Sequence, residues 1–200
     1  MMSNAFIDTI KRRRSQYALG KNLPLAQDQV TALIQDAVKL SPSAFNSQSS
    51  RAVILFGAES DKFWGFVMQA LRQIVPADAF AATEGKINSF AAGAGTVLFY
   101  EDRHVVAGLQ DKYPAYADNF PIWSEQASGI AQFSVWTALA NAGIGASLQH
   151  YNPLPDALAA AEWQLPDTWH LRAQMPFGSN EGDFPEKGFM DDAERFRVFG

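Results

Sequence analysis

The chain contains no cysteine. That removes disulfides, thiolate metal sites, cysteine nucleophiles and iron–sulfur clusters from consideration. Its first residues, Met1-Met2-Ser3-Asn4, lead into an amphipathic pattern and not an apolar signal core. No apolar run is long enough to span a membrane, so a soluble cytoplasmic protein without a membrane partner is expected. Positive charge is scarce: 16 Lys and Arg stand against 21 Asp and Glu, for a net charge of -5. A nucleic-acid binder needs a basic footprint, and none is present. There is no phosphate-binding P-loop, no Gly-x-Ser-x-Gly elbow and no His-Glu-x-x-His.

Two glycine pairs have only a superficial resemblance to a dinucleotide fingerprint. That fingerprint requires a strand before it and a helix after it. Gly93-Ala94-Gly95 instead precedes a strand, and Gly143-Ile144-Gly145 follows a helix. Both read as helix ends and close-packing points. His104, His150 and His170 are far apart in sequence, and Glu101-Asp102-His104 reads as a solvated strand end. No metal is expected.

What is present is a globular balance: 200 residues, 48% hydrophobic and 18% charged. Length and the lack of linkers or repeats favour one domain spanning 1–200. Aromatic residues make up 12%, including 15 Phe and 5 Trp. That is a surplus for one core and leaves aromatic surface for a partner or a flat ligand.

The pattern along the chain alternates helices with a few strands. Asn4 caps a first helix carrying Phe6, Ile7 and Ile10. Pro24 and Asp28 introduce a second, whose apolar face is Val30, Leu33, Ile34, Ala37, Val38 and Leu40. Ser41-Pro42 ends it, because a residue before proline avoids the helical region. Residues 52–56 read as a buried strand, 60–75 and 77–92 as helices, and 95–100 as a second strand covered on both faces. A helical stretch over 102–118, interrupted at Pro114, follows the charged turn Glu101-Asp102-Arg103. Residues 122–142 form the most apolar helix, destined for a core or an interface. A short strand at 146–150 and a helix begun by Pro153 and Pro155 come next. Trp169, Leu171, Ala173 and Met175 alternate with polar residues, as in a half-exposed strand closed by Pro176. The tail carries Phe189, Phe196, Val198 and Phe199, which need a surface to dock on. The whole reads as one α+β or α/β domain, a small sheet covered by helices.

Two polar motifs carry the chemistry. Lys11-Arg12-Arg13-Arg14-Ser15 concentrates positive charge beside a hydroxyl in an acidic chain. Cations complement a helix C-terminus, but Arg also binds phosphate through charge-assisted, often bidentate hydrogen bonds. The second motif, Ser41-Pro42-Ser43-Ala44-Phe45-Asn46-Ser47-Gln48, is a turn carrying amides and hydroxyls. Such a turn can simply close a helix. Its amides also suit the carbonyls and N–H of a flavin's pyrimidine edge.

Arg13-Arg14-Ser15, followed about thirty residues on by Pro42 to Gln48, resembles the FMN-dependent nitroreductase family. The similarity continues through residues 95–102, through 142–152, and to Met175-Pro176-Phe177-Gly178. The run Leu148-Gln149-His150-Tyr151-Asn152 is similar to the small branch related to the yeast fatty-acid-repression-mutant protein.

The resemblance implies a nitroreductase-like α+β fold: a small central mixed or antiparallel sheet flanked by helices, in an intertwined homodimer with two FMN sites at the interface. It implies ping-pong hydride transfer from NAD(P)H to a nitroaromatic, quinone or similar acceptor, with no catalytic side chain, since FMN carries the chemistry. By position, Arg13, Arg14 and Ser15 would hold the phosphate, completed by Lys187 and Arg197. Asn46 and Gln48 would meet the ring from the other subunit. Leu148, Gln149 and His150 would line it, with a backbone N–H to N5.

Two positions depart from the family's pattern. Tyr17 stands where many members carry Arg or Lys facing the flavin's N1 and O2, and a phenol stabilises the reduced anion less than a cation. Ser49-Ser50-Arg51 follows Gln48 where Pro and an aromatic residue are common, so Arg51 is a further candidate contact. Tyr17 motivates an alternative: a low-turnover flavin-binding protein acting as flavin store, redox sensor or regulatory partner. A third reading is a helical interaction module whose 122–142 helix only dimerises.

Overall fold

The computed structural model describes residues 4–200. Helix α1 (Ala5–Arg12) begins at Asn4, whose side chain accepts the N–H groups of Phe6 and Ile7 at 3.0 and 3.2 Å. Helix α2 (Gln27–Lys39) stops three residues before Pro42. Strand β2 (Ser50–Phe56) leads into α3 (Ala58–Leu71) and α4 (Phe80–Ala91). Strand β3 (Gly95–Asp102) precedes α5 (Arg103–Lys112) and α6 (Phe120–Asn141). The chain closes with β4 (Gly145–Ala146), α7 (Asp156–Glu162), β5 (Trp169–Asn180) and the single turn α8 (Asp192–Arg195).

Among the described residues, five strands make one sheet in the order β1-β5-β3-β2, where β1 is Leu19–Gly20 and β4 also pairs with β5. All the strand pairs are antiparallel. Helices cover both faces. On one side Phe63, Trp64, Val67, Ile87 and Phe90, from α3 and α4, pack with Leu55, Leu98 and Leu171. On the other, Val30, Ile34, Val135 and Leu139, from α2 and α6, pack with Val97, Phe99, Ala173, Met175 and Phe177. The fold is α+β with a small central antiparallel sheet.

Three expectations need correction. First, β3 does not end in a solvated turn at Glu101. It runs through Asp102, and both carboxylates are buried, Glu101 at 1% exposure.

Second, β5 is neither half-exposed nor stopped at Pro176; it continues to Asn180 with residues 173–178 buried. Its register against β3 shifts between Phe99 and Tyr100, which face Ala173 and Leu171, so Arg172 is the extra residue of a bulge. The bulge puts Leu171 on the α3–α4 face and Ala173 and Met175 on the α2–α6 face. A proline is tolerated where the ladder does not call on its missing N–H.

Third, α6 is not core all round: it buries Phe120, Val135 and Leu139, but one side of it faces out on the protomer. Its inner face is Ala127, Ser128, Ala131, Gln132 and Val135, while Ile122, Ile130 and Phe133 face out. The tail's Phe189, Phe196, Val198 and Phe199 likewise stay exposed on the protomer.

Candidate functional site

Arg13 caps α1 with its N–H on the Ile10 carbonyl (3.2 Å), and the chain leaves the helix extended. It runs beside β4: Ser15 bridges Ala146 in parallel, and the Gln16 N–H meets the Ala146 carbonyl at 2.9 Å. Gln16, buried, ties this segment to the C-terminal tail. Its Nε2 donates to the Gly182 carbonyl at 2.7 Å, and its Oε1 accepts the Ala18 N–H at 3.0 Å. The Glu181 N–H then meets the Ala18 carbonyl at 2.9 Å. The tail is thereby laid across residues 13–18.

Between them lies a cleft of about 480 Å³, on which Arg13, Arg14, Ser15, Tyr17, Asp183 and Lys187 converge. The Arg13 guanidinium sits 4.3 Å over the Trp136 ring, a cation–π contact. The Trp136 Nε1 is itself fixed on the Ala146 carbonyl at 3.2 Å. Burial, and then the neighbouring Arg14, push the Arg13 pKa down. A desolvated cation beside a like charge gains from an incoming anion. Arg14 donates to the Pro185 carbonyl and faces Phe184. Tyr17 is half-exposed, its ring 6.5 Å from that of Phe90.

The segment after β4 leaves Ala146, the residue that bridges Ser15, and runs along β5. Gln149 and Gln174 exchange both backbone bonds, at 2.7 and 2.9 Å, and the Ser147 N–H meets the Pro176 carbonyl at 3.3 Å. This alternation turns residues 147 and 149 toward β5. Among the described residues nothing accepts the N–H groups of Leu148 and His150. Gln149 is buried with its Nε2 on the Ser147 hydroxyl (3.0 Å), whereas His150 is exposed.

The amide turn follows α2. The Ser41 hydroxyl donates to the Ala37 carbonyl at 2.8 Å and accepts from the Ser134 hydroxyl of α6 at 2.9 Å. The Ser43 hydroxyl accepts the Gln48 N–H at 3.0 Å. Phe45, Asn46 and Gln48 have φ of 56°, 50° and 48°, left-handed values that persist in non-glycine residues only when the surroundings hold them. Part of that hold is an aromatic nest: the Phe45 ring lies 4.9 Å from Tyr113, 5.3 Å from Phe120 and 5.9 Å from Trp123, stacked on the last. Asn46 and Gln48 are exposed. Pro42, Ser43 and Gln48 line a second cleft, of about 180 Å³, with Ala127 and Ala131 of α6. It shares no lining residue with the first.

The structure therefore brings Arg13, Arg14, Ser15, Tyr17 and Lys187 to one cleft, and Leu148 to His150 follow shortly after Ala146, the residue that bridges Ser15. It places Asn46 and Gln48 elsewhere on the protomer. Arg197 is not on either cleft; its guanidinium turns back to the carbonyls of Ala193 and Phe196. Arg51 acts on the turn from behind, donating to the Gln48 carbonyl at 2.5 Å and to Asp102 at 3.0 Å. Two contributors escaped the sequence reading. Gln16 carries no chemical signal, and Trp136 sits in an apolar helix where it reads as core.

A family model described as the nitroreductase family matches residues 10–179. The nitroreductase FRM2 of Saccharomyces cerevisiae is 32% identical over 189 residues, 94% of each chain. The solved structure of the nitroreductase CinD from Lactococcus lactis, in complex with chloramphenicol, superimposes with a TM-score of 0.91. It is 49% identical and covers 98% of this chain and 100% of its own. An FMN complex from Desulfovibrio desulfuricans, 16% identical, shares the fold at a TM-score of 0.74 over 100% of this chain and 99% of its own.

Proposed function

This chain belongs to the nitroreductase family, in the small branch of FRM2, and on that premise we propose an FMN-dependent NAD(P)H oxidoreductase that reduces nitroaromatic, quinone or similar acceptors. The observation that carries the proposal is the donor set of the first cleft. Arg13, the Ser15 hydroxyl and Lys187 converge there, and two unpaired backbone N–H groups, at 148 and 150, stand on the adjoining segment. That set suits an anionic end followed by a ring rich in acceptors, which is the shape of FMN. CinD was solved with chloramphenicol and with 4-nitrophenol, which supports nitroaromatic acceptors for this chain.

FMN, when bound, would supply the hydride chemistry between NAD(P)H and the acceptor. The side chains bind and orient. Arg13, Arg14, Ser15 and Lys187 hold the phosphate. The N–H groups of Leu148 and His150 donate to the ring, beside the buried Gln149. Asn46 and Gln48 meet the ring from a second subunit, since on one protomer Gln48 opens on another cleft and Asn46 lies on the same turn. We infer a homodimer acting as one domain, in the cytoplasm. Among the described residues no helix is long and apolar enough to cross a membrane.

The visible spectrum of the purified protein tests this. The expected result is an oxidised flavin spectrum that bleaches with NAD(P)H and returns with a nitroaromatic. Arg13→Ala should weaken FMN binding about 10- to 100-fold, the effect of one lost charge-assisted contact. A protein that takes up no FMN overturns the proposal. One observation favours a second reading: Tyr17 brings no positive charge to the ring. A flavin spectrum with no NAD(P)H turnover would assign the protein as a flavin store or redox sensor.

A further inference from the structure

Glu101 is a buried carboxylate that the proposed chemistry leaves unused. A carboxylate removed from water must be supplied with donors, and Glu101 has three. Its Oε2 accepts the hydroxyls of Ser49 and Ser124, each at 2.6 Å, and its Oε1 accepts that of Ser50 at 2.5 Å. These are the short distances of charge-assisted O–H···O bonds. Asp102, the next residue, receives Arg51 at 3.0 Å, and Arg51 passes the contact on to the Gln48 carbonyl at 2.5 Å. Asp102 also caps α5 by accepting the His104 N–H at 3.1 Å.

The connectivity has a direction. Ser49, Ser50 and Arg51 are the first residues after the strained turn at 45–48. Ser124 lies on α6 one residue after Trp123, which stacks on Phe45 of that turn. Asp102 fixes the start of α5, whose far end delivers Tyr113 to the same aromatic nest. The end of β3 thus grips the turn at its exit and grips both helices that cover it. The strand itself is buried along its whole length, so its end is a rigid anchor.

We propose that Glu101 and Asp102 are positioning residues for the turn carrying Asn46 and Gln48. Glu101 acts through Ser49, Ser50 and Ser124, and Asp102 acts through Arg51. The pair holds the left-handed backbone of 45–48 against relaxation. This rests on the flavin reading only for its consequence, the placement of Asn46 and Gln48 at the ring edge. The brace itself is a property of the chain without cofactor.

Two measurements separate the levels. Hydrogen exchange on the cofactor-free protein reports the brace. In Glu101→Ala and in the double variant Ser49→Ala/Ser50→Ala, the amides of residues 46–48 should exchange about tenfold faster, as expected of a local opening, with the amides of β3 still protected. Glu101→Gln keeps one acceptor oxygen and should fall between these and the wild type. On the loaded protein, the same variants should shift the flavin absorption bands and midpoint potential and raise the FMN Kd about 2- to 10-fold, the effect of weakened neutral hydrogen bonds. Unchanged exchange at 46–48 in both variants overturns the brace. Faster exchange with an unaltered flavin spectrum, potential and Kd overturns the placement. If the wild type binds no FMN, the functional reading fails, and the exchange result alone still decides the brace. Should Glu101→Ala fail to fold, the serine double variant removes the donors with their bonds and gives the same answer.

Discussion

At Asp156 the chain holds a carboxyl against its preference for water. The residue opens α7, and its Oδ1 is buried without a hydrogen bond among the described residues. Burial raises its pKa from the ordinary 3.8, and the nearby Arg172 only partly offsets this. The Tyr100 hydroxyl, also buried and without a partner among the described residues, has its pKa raised by burial and by Asp156. A carboxyl whose folded pKa is raised holds its proton more tightly in the native state. Stability then falls as pH rises from the unfolded pKa through the folded one, and the penalty is complete above it. Asp156→Asn should therefore stabilise the protein at neutral pH. The gain should shrink as the pH approaches 3.8. Urea unfolding of both proteins across that range measures the difference; a gain independent of pH would reject titration as its cause. Residues of this kind are invisible in sequence, because a carboxylate at a helix start looks like ordinary capping. Arg13, Ser15 and Gln48 stand out for the opposite reason, as concentrated charge and amides in an acidic chain, and the structure puts Arg13 and Ser15 on one cleft and Gln48 on another.

Elements were legible where one period ruled them. Residues 95–100 are apolar throughout and became a strand buried on both faces, while the 3.6-residue pattern of α2 located its buried Val30 and Ile34. What failed were relations between elements. A bulge is a mismatch of two strands, so the face switch at Arg172 cannot be read from β5 alone. Gly178 shows the same dependence. A Cβ on it would collide with the Gly20 carbonyl oxygen of β1 and lie 3.1 Å from the Ala94 nitrogen. That close approach lets β5 pair with β4 on one side and β1 on the other, which lays residues 13–18 against the tail. Gly178→Ala should cost about 1–3 kcal/mol, as overpacking does. It should also loosen the Arg13 to Tyr17 segment. Thermal unfolding gives the first quantity, and protease sensitivity within residues 13–20 gives the second. A variant as stable and as resistant as the wild type would show that the strands separate freely there.

On the scale of the molecule, a single protomer is unfinished in two respects. The cleft proposed for the phosphate and the turn proposed for the ring do not share one cavity. Its longest helix, α6, shows large apolar side chains to solvent, with Ile122 57%, Ile130 40% and Phe133 37% exposed. Its sequence, apolar nearly all round, reads as a helix for a core or an interface. Its inner positions are instead small or polar, from Ser124 to Gln132, because α6 lies close against the sheet and α2. Apolar area on the outer side loses stabilisation of about 25 cal/mol per Å² while it faces water, and burial against a second copy would recover it. Leu40, 83% exposed at the end of α2, and the tail's Phe196, Val198 and Phe199 add to the same deficit. Both respects are met if the turn of one protomer supplies Asn46 and Gln48 to the cleft of another along α6. The double variant Ile130→Asp/Phe133→Asp tests this. Both side chains are exposed on the protomer, so its unfolding midpoint at fixed low concentration should change little. Dimerisation should be lost in sedimentation velocity, and FMN binding should fall with it, because the ring ligands leave together with the second subunit. A monomer that kept its flavin at wild-type affinity would mean that one chain suffices for the site. The separation of the two clefts would then have no functional consequence.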